Sequence, residues 1–181
     1  MTLLLSLSRA IDATNRAVGR FTYWLVLVAV LISSFNAIVR KTLHMSSNSL
    51  LEIQWYLFSA IFLLCAGYTL MNNEHVRVDV LFGRLSRRKQ LVIEIFGLLV
   101  FLGPMTMLIL VLSWQPFLDA FHSGEMSSNA GGLIRWPVKL LIPVGFFLLL
   151  LQGVSELIKN IHEYRRLGAG QADNHASAVS G

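Results

Sequence analysis

Four long apolar stretches divide the chain, each bounded by charged residues. The first, FTYWLVLVAVLISSFNAIV (21–39), lies between Arg20 and Arg40. The second carries no charge between Glu52 and Glu74, and the third none between Glu94 and Asp119. The fourth, LLIPVGFFLLLLQGVS (140–155), lies between Lys139 and Glu156 and is extended by the preceding Trp136-Pro137. A helix needs about 20 apolar residues to cross a bilayer core. Lipid cannot satisfy backbone N–H and C=O groups, so a span must pair them internally. The runs lack the period-2 alternation of a barrel strand. The pattern therefore predicts an all-α integral membrane protein with transmembrane helices at about 21–39, 51–71, 91–114 and 136–157. Pro104 and Pro143 fall inside the third and fourth spans, where each removes a backbone donor and is expected to kink its helix.

The ends of the chain read differently. Through residues 1–20 and into the first run, Leu4, Leu7, Ile11, Val18 and Phe21 recur at helical spacing, with Arg9, Asp12, Asn15, Arg16 and Arg20 largely opposite. This predicts an amphipathic helix lying in the membrane interface. A cleaved signal peptide is the poorer reading, because the apolar stretch precedes any basic residue and no small-residue cleavage site follows. The 165–181 tail is small and polar and is expected to be disordered. The four-helix domain then occupies 21–164.

Charge sets the expected orientation. Lys and Arg number eleven in the N-terminal segment, the second loop and the C-terminal segment, against four in the first and third loops. The positive-inside rule then places both termini and the second loop in the cytoplasm, as an even number of spans requires for the termini. The net charge of +5 is spent flanking apolar runs. With no basic recognition helix or aromatic RNA motif, nucleic acid is not an expected partner.

Little in the chain points to chemistry. Cys65 is the single cysteine, set within an apolar run. No metalloprotease, nucleophile-elbow or phosphate-loop motif occurs. The five histidines, His44, His75, His122, His162 and His175, lie outside the span centres, which argues against a transmembrane haem. Asn36, Gln54, Thr69 and Thr106 are the polar groups nearer the interior, too few for a sodium or anion site and suited to helix-to-helix hydrogen bonds. The expectation is a non-enzymatic partner subunit without its own cofactor. The alternative is a self-sufficient protein, either a small homo-oligomeric exporter or a membrane enzyme. The absence of a central intramembrane acid, a nucleophile or a metal set argues against it.

One loop concentrates charge: MNNEHVRVDVLFGRLSRRKQ, 71–90. With the span before it, the stretch LEIQWYLFSAIFLLCAGYTLMNNEHVRVDVLFGRLSRR resembles the small, four-helix membrane subunit of tripartite ATP-independent periplasmic (TRAP) transporters. The resemblance is carried by Glu52 opening the second span, the Trp55-Tyr56 pair, and the His75-Val76-Arg77-Val78-Asp79 motif after it. A commoner family pattern has two adjacent acids where this chain has Glu52 followed by Ile53.

The resemblance implies a multi-pass protein of the bacterial inner membrane. It further implies a larger membrane subunit that holds the substrate and sodium sites and moves like an elevator. A periplasmic substrate-binding protein would deliver an organic acid or carboxylate. The small subunit would be a fixed scaffold, with sodium bound by the large subunit and not by this chain. Glu52, Trp55, Tyr56, His75, Arg77 and Asp79 become candidates for organising the loop or the subunit interface. Two readings of HVRVD stand: a headgroup segment with Val78, Leu81, Phe82 and Leu85 toward lipid, or an Arg77–Asp79 network that docks the large subunit. Glu52 is likewise either an interfacial acid or a bond between helices. Arg84, Arg87, Arg88 and Lys89 are expected to set topology and to anchor phospholipid headgroups.

Overall fold

The computed structural model describes residues 2–43, 48–72, 85–129 and 131–179. Helix α1 spans Thr2–Leu43, α2 Asn48–Met71, α3 Arg87–Gly97, α4 Gly103–Ser123 and α5 Trp136–Val179. A π-helical segment, Leu98–Leu102, joins α3 to α4 as one continuous third span. Among the described residues four helices are thus long and apolar enough to cross a membrane. Among the described residues the only β pairing is an isolated antiparallel bridge between Met126 and Ile134.

Helix α1 corrects one expectation. No break separates residues 1–20 from the first span: the 42-residue helix runs straight through. At 1.5 Å per residue it is about 63 Å long, roughly twice the hydrocarbon core of about 30 Å. The single glycine along its length, Gly19, does not end it. It admits the Tyr68 ring of α2 so closely that a Cβ there would lie 2.5 Å from Tyr68 Cγ. The amphipathic pattern holds for Arg9, Arg16 and Arg20, which are exposed, and differs at Asp12 and Asn15. Ser8, Ile11, Asn15 and Thr22 are buried, whereas Leu3, Leu4 and Leu7 are exposed. Asp12 and Asn15, expected on the outer side, face the bundle because a polar stripe on α5 receives them.

Helix α5 is the hub. It packs against α1, α2 and the whole third span, and α1 also packs against α2. Small residues allow the backbones to approach. A Cβ on Gly145 would fall 2.8 Å from the Leu63 carbonyl oxygen of α2, and one on Gly67 would fall 2.3 Å from Asn15 Oδ1 and 3.3 Å from the Leu148 oxygen. Trp136 opens α5 and Pro137 sits in its first turn, where a missing N–H costs nothing. Pro143 is accommodated deep inside the same helix. No backbone break marks the expected tail boundary, since α5 continues to Val179.

The third span is peripheral. Only 6% of its most apolar window is buried, against 39% for that of α5, so most of its side chains face outward. The disturbance expected at Pro104 takes the form of the π turn just before it. The Gly103 N–H reaches back five residues to the Leu98 oxygen. Thr106 Oγ1 donates to the carbonyls of Leu102 at 2.7 Å and Gly103 at 3.0 Å. Pro116, not singled out from sequence, lies inside α4 as well.

Candidate functional site

Two polar clusters hold the bundle, near opposite ends of the fourth apolar run, 140–155. The first is built on α2. Ser49, Glu52 and Tyr56 recur at i, i+3 and i+7, which places them on one stripe of the helix. That stripe meets the connection between α4 and α5. Helix α4 ends where Gly124 turns left-handed at φ 61°. The chain then doubles back: the Ser127 N–H donates to the Leu133 carbonyl at 2.9 Å and the Arg135 N–H to the Glu125 carbonyl at 2.9 Å. Gly131, at φ 72°, and Gly132 allow the tight return; a Cβ on Gly132 would lie 2.5 Å from the Ser127 Cβ.

Glu52 clamps this connection. Its carboxylate is buried and accepts from the Leu133 N–H at 2.7 Å, from Asn129 Nδ2 at 2.7 Å and from the Ser127 hydroxyl. Ser49 donates its hydroxyl to the Gly131 carbonyl, and the Tyr56 hydroxyl donates to the Ile134 carbonyl at 3.2 Å. Glu125, at the base of the connection, pairs with Arg135 at 3.2 Å and with Lys139. Those two cations, Lys139 foremost, hold the Glu125 carboxyl below the usual range. Trp55 points away, 68% exposed. Glu52 and Tyr56 therefore work together, whereas Trp55 presents its ring to the surroundings.

The second cluster joins α1 to α5, at the end where the first and fourth apolar runs stop. Gln152 is fully buried. Its Oε1 accepts from Asn15 Nδ2 at 2.9 Å, while its Nε2 donates to Asp12 Oδ1 at 2.8 Å and Glu156 Oε1 at 2.9 Å. The Ser155 hydroxyl donates to Asp12 Oδ1 at 2.7 Å and lies 2.7 Å from the Ser8 hydroxyl. Lys159 Nζ completes the set, 3.2 Å from Asp12 Oδ2 and 2.5 Å from Glu156 Oε1. Two acids thus share one ammonium and one carboxamide. The Asn15 Oδ1 atom is buried with no hydrogen-bond partner among the described residues, pressed toward Gly67.

None of these α5 residues stood out in sequence, although Gln152, Ser155, Glu156 and Lys159 recur at i, i+3, i+4 and i+7. Ser8, Asp12 and Asn15 repeat at i, i+4 and i+7 on α1. Two polar stripes of matching length were the available signal.

The remaining candidates divide. His75, Arg77, Asp79 and Arg84 lie outside the described residues. Arg87 bonds both oxygens of Glu163 on α5, at 2.9 and 3.0 Å. Arg88 sits over the Tyr164 ring, 4.9 Å from its centroid. Lys89 is exposed. Among the described residues no group of three or more His, Cys, Asp or Glu side chains is placed to hold a metal ion.

The fold and these clusters define a helical membrane subunit whose buried polar groups bind its own helices and connections to one another. Residues 29–163 match the family described as tripartite ATP-independent periplasmic transporters, DctQ component. The chain belongs to that family, a transporter component and not an enzyme, and is a multi-pass protein of the bacterial inner membrane. A relative, the C4-dicarboxylate TRAP transporter small permease protein DctQ of Pseudomonas aeruginosa, is 30% identical over 124 residues. That match covers 68% of this chain and 59% of the relative, so the chain spans less than two thirds of the relative's length. No solved structure matches the chain. The family match contains Glu52 and the α5 half of the second cluster, while Asp12 and Asn15 precede it.

Proposed function

We propose that the chain is the small scaffold subunit of a sodium-coupled TRAP transporter. In this reading it associates with a larger elevator-type membrane subunit that holds the substrate and sodium sites. A periplasmic binding protein delivers an organic acid or carboxylate. The observation that carries the scaffold role is the use of the bundle's buried and half-buried charges. Glu52 takes three donors from one connection, and Asp12 and Glu156 share Lys159, so these groups tie elements together. A frame that stays fixed while a neighbour moves needs such ties. The carboxylate class is supported by the C4-dicarboxylate relative. An orientation with both termini in the cytoplasm is supported by the distribution of basic residues, which also puts the Glu52-held connection on the periplasmic side.

The test is gentle-detergent capture of the tagged chain from its native membrane, with mass spectrometry of the proteins that co-purify. Recovery of one much larger polytopic protein in roughly equal amount is expected. Reconstituted together with that protein and a binding protein, the pair should take up a carboxylate only under an inward sodium gradient. A stable homo-oligomer that transports alone in liposomes would overturn the reading.

A further inference from the structure

The basic residues at the start of the third span do not share one role. Arg87 is turned toward α5 and engaged by Glu163. Arg88 and Lys89 instead line a surface groove of about 490 Å³, together with Leu85, Val92, Ile93 and Tyr164. The order of its lining along the helix is informative. Arg88 and Val92 are separated by four residues, as are Lys89 and Ile93, so each cation sits one turn above an aliphatic side chain on the same face. Tyr164, contributed by α5, forms part of the opposite wall and carries the Arg88 guanidinium on its ring. Val92 and Ile93 are 49% and 44% exposed, so the aliphatic part of the groove is open.

We infer that this groove binds one anionic phospholipid of the bilayer, its phosphate against Arg88 and Lys89 and an acyl chain along Val92 and Ile93. Charge selects this occupant. The first turn of α3 contains no acid, and the positive end of a helix already resists the three cations placed there. Glu163 compensates Arg87, whereas Lys89 has no ion-pair partner among the described residues. Negative charge from outside the chain answers both the lysine and the helix end. The apolar floor, one helical turn deeper, fits a ligand whose charge and hydrocarbon are stacked in that order. A soluble anion would leave Val92 and Ile93 unused, and a zwitterionic lipid would leave a cation uncompensated. The inference does not depend on the transport reading.

The test uses the full-length chain purified in mild detergent, stripped of lipid and titrated with phosphatidylglycerol, with binding read by native mass spectrometry. Phosphatidylethanolamine serves as the zwitterionic comparison. The wild type should bind phosphatidylglycerol the more tightly. Removing both cations, Arg88→Gln with Lys89→Gln, should weaken that binding by about ten- to thirtyfold, as expected for two surface cations facing anionic lipid. Val92→Trp, which fills the aliphatic part and leaves the charge intact, should weaken it as well. Arg40→Gln with Lys41→Gln, which alters a basic pair at another helix end, should leave it unchanged. Equal binding of the two lipids by the wild type would overturn the inference. So would phosphatidylglycerol affinity within about twofold of wild type in both groove variants.

Discussion

The two polar clusters solve different problems with similar atoms. At one end, a single acid on α2 gathers neutral donors from a connection between two other helices. At the other, two acids, a lysine and a buried carboxamide cross between α1 and α5. The first fixes a connection against the bundle and the second fixes one helix against another. Each should fail in its own way. Losing the Glu52 clamp should free the connection and leave the helices packed. Losing the Gln152 junction should loosen α1 from the hub, because among the described residues no other side chain hydrogen-bonds Asn15, Asp12 and Glu156 together.

The largest effect is expected from Gln152→Leu. It removes two donated hydrogen bonds and one accepted bond at a fully buried position, leaving Asn15 and the two carboxylates short of partners. Each buried polar group left unpaired costs about 1–3 kcal/mol. We expect a net loss of about 3 kcal/mol, read as a clear drop in thermal midpoint in detergent. Gln152→Glu should be no rescue, since it adds a third acid to a site with one lysine. An unchanged midpoint for Gln152→Leu would show that the junction is ornamental to stability.

Glu52→Gln should act on a smaller region. The amide keeps the shape but places an NH2 where one of the three donors now points. Amide hydrogen exchange in 126–129 and 131–134 should speed by on the order of tenfold, the consequence of losing a charge-assisted acceptor. Exchange in α1 and the thermal midpoint should move little. Equal acceleration across α1 and the connection would mean that the two clusters are one cooperative unit.

These contrasts also show what a sequence displays. The spans were legible because the bilayer imposes long uncharged runs, and Pro137 could be placed because a first turn tolerates it. Glu52 was legible only through its setting in a resemblance. Its partners lie more than seventy residues away, and one is a backbone N–H that no motif announces. Asp12 and Asn15 were placed on the wrong face for a physical reason. The rule that polar residues face water assumes that the interior is apolar. Here the interior at that level is itself polar, supplied by Gln152, Ser155, Glu156 and Lys159. A stripe on one helix has meaning only once the stripe opposite is known.

Arg87→Gln should matter less than either cluster. Its pair with Glu163 is bidentate but its side chains are 49% and 41% exposed. Exposed pairs contribute about 0.2–1 kcal/mol and are screened by salt. A small fall in thermal midpoint is expected, shrinking further at high salt. A loss as large as that of Gln152→Leu would show that the third span depends on this pair for its seat on α5.

The smallest effect sharpens the comparison from the side of pH. Glu125 steadies the same connection as Glu52, but from its base and with cations. Its carboxyl is lowered by Lys139 and Arg135 when the connection is closed, and an opened connection returns it toward the ordinary glutamate value of about 4.3. A lowered value in the closed form means that the contribution is fully present above the ordinary value. It disappears as pH falls through the lowered one. A spin label on Met126→Cys, in a Cys65→Ala background, reports the opening. With Glu125 intact the label should be less mobile at neutral pH than with Glu125→Gln, and the two should converge as acid protonates the carboxyl. A constant difference across the range would place the role of Glu125 in shape rather than charge. Acidification will also reach Glu52, so the absolute mobility of both proteins should rise. Only the gap between them measures Glu125, and its closing toward acid is the signature of a clamp that works through its cations.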